Sequence, residues 1–311
     1  MGDPAGVGPT IIAKAIKKIG RIIPLVIFGD FWILKKKGIS KLPKEVEFID
    51  LNKVKPDRFS FGLVHPDNSR AAIAYLDKAI EFLKRGQVDC LVTCPISKEG
   101  LAKAGFSWSG HTEYLAEKEN CPDLVMMLLN NRLRISLVTR HLPLGSVPSS
   151  ITPKLLSKTI LKTNQALKEY FLLTKPKIVV CGINPHASDN GVIGKEELTI
   201  VKPVLKRLLK KGISVYGPFP ADVALAEAYE GRFDAAVSMY HDQALIPLKL
   251  LGNDQGVNLT LGLPFVRTSP LHGTAFDIAA TSKANPSSLI SAIFMAVKCS
   301  LNQKKALAKI S

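Results

Sequence analysis

The chain predicts an α/β protein with largely parallel sheets and flanking helices, and three observations carry that expectation. Short Val- and Ile-rich runs alternate with segments of helical periodicity along most of the sequence. Gly, Pro, Asn and Asp punctuate the junctions. A length of 311 residues is large for one core and natural for two lobes.

Taken in order, 24–28 reads as a strand ended by Gly29-Asp30, and 46–49 as another. From 69 to 84, Ala72, Ile73, Leu76, Ile80 and Leu83 recur at helical spacing, with Asn68 or Ser69 as the N-cap and Gly86 as the stop. Strands are expected at 88–93, 134–139, 177–181, 213–216, 234–239 and 257–261. Helices are expected at 153–170, 195–211, 274–282 and 287–301. Strands separated by helices argue for parallel pairing.

Composition bounds the function. Hydrophobic residues make up 46% and charged residues 22%, and no apolar run approaches the ~20 residues of a membrane span. The opening Met1-Gly2-Asp3-Pro4-Ala5-Gly6 has no signal-peptide pattern. Five cysteines without a Cys-x-x-Cys pair favour reduced thiols and a cytoplasmic setting. The formal charge is +16, but the lysines come in short groups near expected helix C-termini, and no basic run is interleaved with aromatics. That argues against a nucleic-acid partner and suits an anionic small molecule.

The stretch from Ser238 to Gly273 concentrates the chemistry. Its apolar run ends in His241-Asp242-Gln243, and Lys249, Asn258 and Arg267 follow as anion or hydroxyl donors. His141, His186 and His241 each lie just past the C-terminal end of an expected strand. Ligands in open α/β sheets gather there, and three imidazoles could meet around one divalent cation. A lone histidine so placed would more simply cap its strand; the shared placement favours the metal. Asp242 and Asp222 are carboxylates near that cluster, although Asp222 could equally cap a helix over 223–229. Gly110-His111-Thr112-Glu113 opens an expected helix whose first amides suit an anion. Neither the dinucleotide fingerprint nor a P-loop is present, so a nicotinamide cofactor would bind elsewhere. Leu271-His272-Gly273-Thr274-Ala275-Phe276-Asp277 is the best loop for it, the other reading being a plain capped helix start.

Five stretches together resemble the 4-hydroxythreonine-4-phosphate dehydrogenase family of pyridoxal phosphate biosynthesis: Gly2 to Pro9, Gly110 to Glu113, Asn184-Pro185-His186-Ala187, Tyr240-His241-Asp242-Gln243 and Gly256 to Asp277. They span nearly the whole chain in the family's order. The resemblance implies a two-lobed fold similar to isocitrate and isopropylmalate dehydrogenases, with the active site in the interlobe cleft. It implies a cofactor lobe of 1–110 plus 256–311, and a metal-binding and dimerisation lobe of 111–255. It implies a homodimer with shared active sites, and NAD (or NADP) as cofactor. One divalent ion (zinc, magnesium or cobalt) per site would be held by His141, His186 and His241 from both subunits. His111, Thr112, Lys249, Asn258 and Arg267 would bind substrate, and His272, Gly273, Thr274, Ala275 and Asp277 the cofactor. Asp222 and Asp242 would be the catalytic acidic residues near the metal. Two departures stand out: only Met1 precedes the Gly-Asp-Pro-Ala-Gly segment where the family has a strand, and Thr10 replaces a common glutamate.

The implied reaction is oxidation and decarboxylation of 4-phosphooxy-L-threonine to 3-amino-2-oxopropyl phosphate. The nearest alternative is a dehydrogenase of another 4-phosphorylated hydroxy acid, such as erythronate or threonate 4-phosphate. A phosphate acyltransferase of similar fold, or a non-catalytic anion-binding protein, would have no use for three histidines at a metal.

Overall fold

The protein is described by a computed structural model covering residues 1–252 and 255–308. Residues 1–122 with 263–297 form one compact unit, and 123–262 with 298 onward form another. The divisions put His111 and Thr112 in the first unit.

The first unit begins with α1 (Gly8–Ile19), which takes Pro9 in its first turn and ends on Lys17 and Lys18. Ile11, Ile12, Ile16 and Ile19 form one face of α1 and pack with Val46, Leu289 and Ile293. There follow β1 (Leu25–Gly29), α2 (Phe31–Lys36) and β2 (Val46–Asp50), with β1 and β2 paired in parallel from Leu25 opposite Val46. In α3 (Pro66–Lys84) the N-cap is His65, whose Nδ1 accepts from the Asp67 amide at 3.2 Å. The expected caps Asn68 and Ser69 lie buried inside the helix, because Pro66 already supplies the preset φ and missing N–H that suit a first position. The unit continues through β3 (Cys90–Val92), α4 (Lys98–Lys103) and α5 (His111–Lys118).

The second unit comprises β4 (Val125–Leu129), β5 (Arg134–Leu137), α6 (Val147–Ser150), α7 (Pro153–Phe171), β6 (Ile178–Cys181), α8 (Lys202–Lys210), β7 (Val215–Phe219), α9 (Ala221–Tyr229), β8 (Ala235–Ser238), α10 (His241–Leu250) and β9 (Val257–Leu261). Its strands lie in the order β9-β4-β5-β8-β6-β7. Pairing is parallel from β5 onward, while β4 runs antiparallel to both neighbours. Every residue of β6 and β8 is buried. Ile178, Val180, Ala235 and Val237 pack with Leu156, Ile160 and Leu167 of α7 and Val204, Leu205 and Leu208 of α8. The alternate residues point to the other face and are also buried, as a parallel sheet covered on both faces requires.

α7 is specified at both ends. Thr152 accepts from the Leu155 amide at 3.1 Å, and Leu172 closes the helix in the left-handed conformation. The helix expected at 195–211 is broken into a single π-helical turn (Glu197–Val201) and α8, since Pro203 has no N–H to continue the regular ladder.

The chain re-enters the first unit as β10 (Val266–Pro270), parallel to β3 and wholly buried, then α11 (Phe276–Ala279) and the start of α12 (Ser287–Leu307). The helix expected at 274–282 is thus only four residues long, because Ala275 just before it is left-handed at φ 42°. All five cysteines are free thiols, and no described helix is long and apolar enough to cross a membrane.

Ile160 is fully buried between α7 and the sheet. Ile160→Ala should cost about 2–5 kcal/mol, read as a lowered urea midpoint at unchanged slope.

Candidate active site

In the second unit, parallel pairing places the carboxyl ends of β5, β8 and β6 side by side at one edge. His141 follows β5 by four residues, His241 follows β8 by three and His186 follows β6 by five. Thr139 stitches two of these exits together. Its hydroxyl donates to the Met239 carbonyl at 2.7 Å and its amide to the same oxygen at 3.1 Å. The His141 and His241 ring centroids are 5.5 Å apart.

His241 is the first residue of α10, so the polar cluster His241-Asp242-Gln243 is a helix start rather than a loop. Its Nδ1 lies 2.6 Å from the Asp242 carboxylate, an arrangement that fixes the tautomer and leaves Nε2 for a ligand. His186 is exposed and opens a run of five left-handed residues through Asn190. Each such non-glycine residue costs on the order of 1 kcal/mol, so the surroundings must hold the run in place. Among the described residues no three His, Cys, Asp or Glu side chains stand together at metal-holding spacing. The donor chemistry nonetheless fits a divalent cation: two adjacent imidazoles, one oriented by a carboxylate, with a third on the neighbouring strand exit.

Asp222 is the second residue of α9, whose N-cap position is taken by Pro220. Its capping reading therefore gives way, and Asp222 lines one groove with Asp242, Tyr240 and Gln243. Lys249 is near the C-terminus of α10, two turns or about 12 Å from His241. Asn258 is the second residue of β9, level with Leu128 and so with Ile135 near the start of β5. Its Oδ1 is buried without a hydrogen-bond partner. Lys249 and Asn258 therefore lie toward the amino edge of the sheet, away from the histidines of the same chain.

In the first unit, His111 and Thr112 begin α5 and are both 8% exposed. Arg267 lies in β10, is 3% exposed and donates to the Thr93 hydroxyl at 2.7 Å. Sequence reading placed Arg267 among spaced polar residues and missed that it is inside a buried strand. Burial brings its pKa down to about 10, partly offset by Glu113, so it stays cationic. Burial, and then the Arg267 guanidinium, hold the His111 imidazole well below its usual range. A neutral histidine, a hydroxyl and a buried cation thus share one place.

The loop 272–277 is also in the first unit. His272 Nδ1 lies 3.0 Å from the Gly273 carbonyl oxygen, and its Nε2 is buried without a hydrogen-bond partner. Thr274 accepts through its carbonyl from the Val7 amide at 2.9 Å. A Cβ on Gly6 would stand 3.0 Å from that carbonyl oxygen, so the Gly2–Pro9 segment and this loop pack tightly. A Cβ on Gly273 would meet nothing within 4 Å, and Asp277 is exposed in the first turn of α11.

The sequence profile of the pyridoxal phosphate biosynthetic protein PdxA matches residues 15–296. The chain belongs to this family. It is 40% identical to a 4-hydroxythreonine-4-phosphate dehydrogenase from Sulfurihydrogenibium sp. over 96% of each chain. It is 39% identical to a D-threonate 4-phosphate dehydrogenase from Salmonella typhimurium, over 96% of this chain and 97% of that one. A crystal structure of 4-hydroxythreonine-4-phosphate dehydrogenase from Klebsiella pneumoniae superposes with a TM-score of 0.86 at 34% identity, covering 96% of this chain and 98% of that one.

Because His111 is neutral in the fold and takes a proton near pH 6.5 when unfolded, its contribution is present above about pH 6.5 and is lost as pH falls below it. Urea midpoints measured from about pH 7.5 to 5.5 should fall in the wild type, and His111→Asn should remove part of that fall.

Proposed function

We propose that the protein is an NAD-dependent dehydrogenase that oxidises the 3-hydroxyl of 4-phosphooxy-L-threonine, with decarboxylation to 3-amino-2-oxopropyl phosphate. The observation that carries this reading is the convergence of three histidine-bearing strand exits at one sheet edge, with two of the rings 5.5 Å apart, in a chain about 40% identical to enzymes of that name. His141, His186 and His241 hold a divalent cation. When bound, that cation supplies Lewis-acid polarisation of the hydroxyl and then of the ketone. Zinc and cobalt suit the imidazole set better than magnesium. NAD, or NADP, would supply the two-electron acceptor, and the loop 272–277 of a cofactor lobe would hold it.

The chain's own residues do the positioning. Arg267, with a forked guanidinium, clamps the phosphate or carboxylate, and Thr112 and neutral His111 add hydrogen bonds without changing the charge. Asp242 sets the His241 tautomer, and Asp222, on the same groove, is the carboxylate available for a hydroxyl proton. Lys249 and Asn258 lie toward the amino edge of the sheet, away from the histidines of their own chain. That placement supports a homodimer whose active sites are shared, with His141, His186 and His241 drawn from both subunits. Five free thiols suit a cytoplasmic enzyme.

A second reading has the same chemistry on D-threonate 4-phosphate, supported by the 39% identical relative of that name. The substrates differ at the carbon bearing the amine or hydroxyl, next to the oxidised carbon and on the side away from the phosphate. NADH absorbance with each substrate, with and without chelator, decides between them. Metal-dependent NADH from 4-phosphooxy-L-threonine supports the first reading, while signal from threonate phosphate alone supports the second. His241→Ala should lower kcat/KM roughly 100-fold or more, and normal activity in that variant would sink the metal assignment. Re-associating His241→Ala with Lys249→Ala should restore roughly a quarter of wild-type activity if the site is shared across a two-fold dimer; two dead variants that stay dead when mixed would place both residues in one subunit's site.

A further inference from the structure

Four backbone polar groups of the segment 182–184, which leads from β6 into the His186 loop, are tied to neighbouring elements. The Gly182 amide donates to the Phe219 carbonyl at 2.7 Å. The amides of Ile183 and Asn184 both donate to Oε1 of Glu197 at 2.8 Å, and the Asn184 side chain donates to Oε2 of Glu197 at 2.9 Å and to Glu196 at 2.8 Å. Glu197 is fully buried, so these donors are what satisfies its carboxylate. The remaining group, the Gly182 carbonyl, accepts from Nε2 of Gln243 at 2.9 Å. Oε1 of the same Gln243 accepts from the Met239 amide at 2.7 Å, closing the turn into His241. One side chain thus ties the exit that carries His241 to the exit that carries His186. Gly182 has no room to give: a Cβ there would stand 2.9 Å from Ala187 Cα and 3.1 Å from Glu197 Oε1.

We infer that Gln243 is a positioning residue of the metal site, bracing the His241 turn against a His186 loop that Glu197 anchors. The inference rests on the reading of His141, His186 and His241 as metal ligands. A primary amide suits the task because it donates to one exit and accepts from the other. Gln243→Glu keeps the shape and the acceptor for Met239 but sets an oxygen against the Gly182 carbonyl, so it breaks one link selectively.

The test is titration of chelator-stripped full-length protein with cobalt(II), followed by the visible absorption of the bound ion. The expected result is a dissociation constant raised about 10- to 100-fold in Gln243→Glu, with altered band positions, at a temperature where circular dichroism shows both proteins folded and with KM for NAD unchanged. Should that variant not fold, Gln243→Met, which leaves the carbonyl unbonded rather than repelled, takes its place with the same expectation. Wild-type affinity and spectrum in the folded variant overturn the brace and leave the metal assignment standing. No cobalt binding by the wild type, or undiminished binding by His241→Ala, overturns the metal assignment and the brace with it.

Discussion

Parallel pairing of β5 with β8 and of β8 with β6 sends three chain exits to one edge of a buried sheet. At such an edge the last amides and carbonyls of each strand have no ladder partner, and a buried unsatisfied group costs about 1–3 kcal/mol. The second unit meets that demand with side chains: Thr139 serves the Met239 carbonyl, Gln243 the Met239 amide and the Gly182 carbonyl, and Glu197 the amides of Ile183 and Asn184. The same bonds that satisfy the edge also fix where each exit points. Stability of the sheet and placement of the histidines are therefore one problem with one solution.

The left-handed run from His186 to Asn190 depends on that solution. Five consecutive non-glycine residues in this region are unfavourable alone, and the loop would relax if its root were free. Its root is the most heavily bonded segment of the edge. Strain stored beside a proposed ligand residue, with a rigid support under it, is the pattern expected where position matters more than local stability.

Much of this was legible in the sequence, and the rest was hidden for identifiable reasons. The histidines announced themselves because each follows a short apolar run, so the expected strands placed them at exits. Glu197 did not, since a carboxylate in a helical stretch between Glu196 and Leu198 reads as solvent-facing until its amide partners are seen. Strand β4 was missed because Val125–Leu129 has no alternation and, by joining β5 through Asn130-Asn131, breaks the strand–helix rhythm that predicts parallel pairing. Strand β10 was missed because Arg267 occupies its second position, and a charged residue argues against a buried strand unless a partner is known. His65 rather than Asn68 capped α3 because an imidazole nitrogen can accept as a carboxamide does, a role that propensity rankings underweight.

Arg267 and His111 show how a buried cation can be kept ready for an anion. A guanidinium that is 3% exposed loses most of its hydration, and one hydroxyl and the field of Glu113 return part of that loss. A second charge on His111 would deepen the deficit, and burial first, then the guanidinium, disfavour the imidazolium. The first unit thus sets one buried cation beside a neutral imidazole, with the Glu113 carboxylate in range to offset part of its charge. Under the proposed reading, a phosphate arriving there would meet a complementary charge and directional donors. On that proposal, preference for phosphorylated substrates would draw on the desolvation already present in the folded chain.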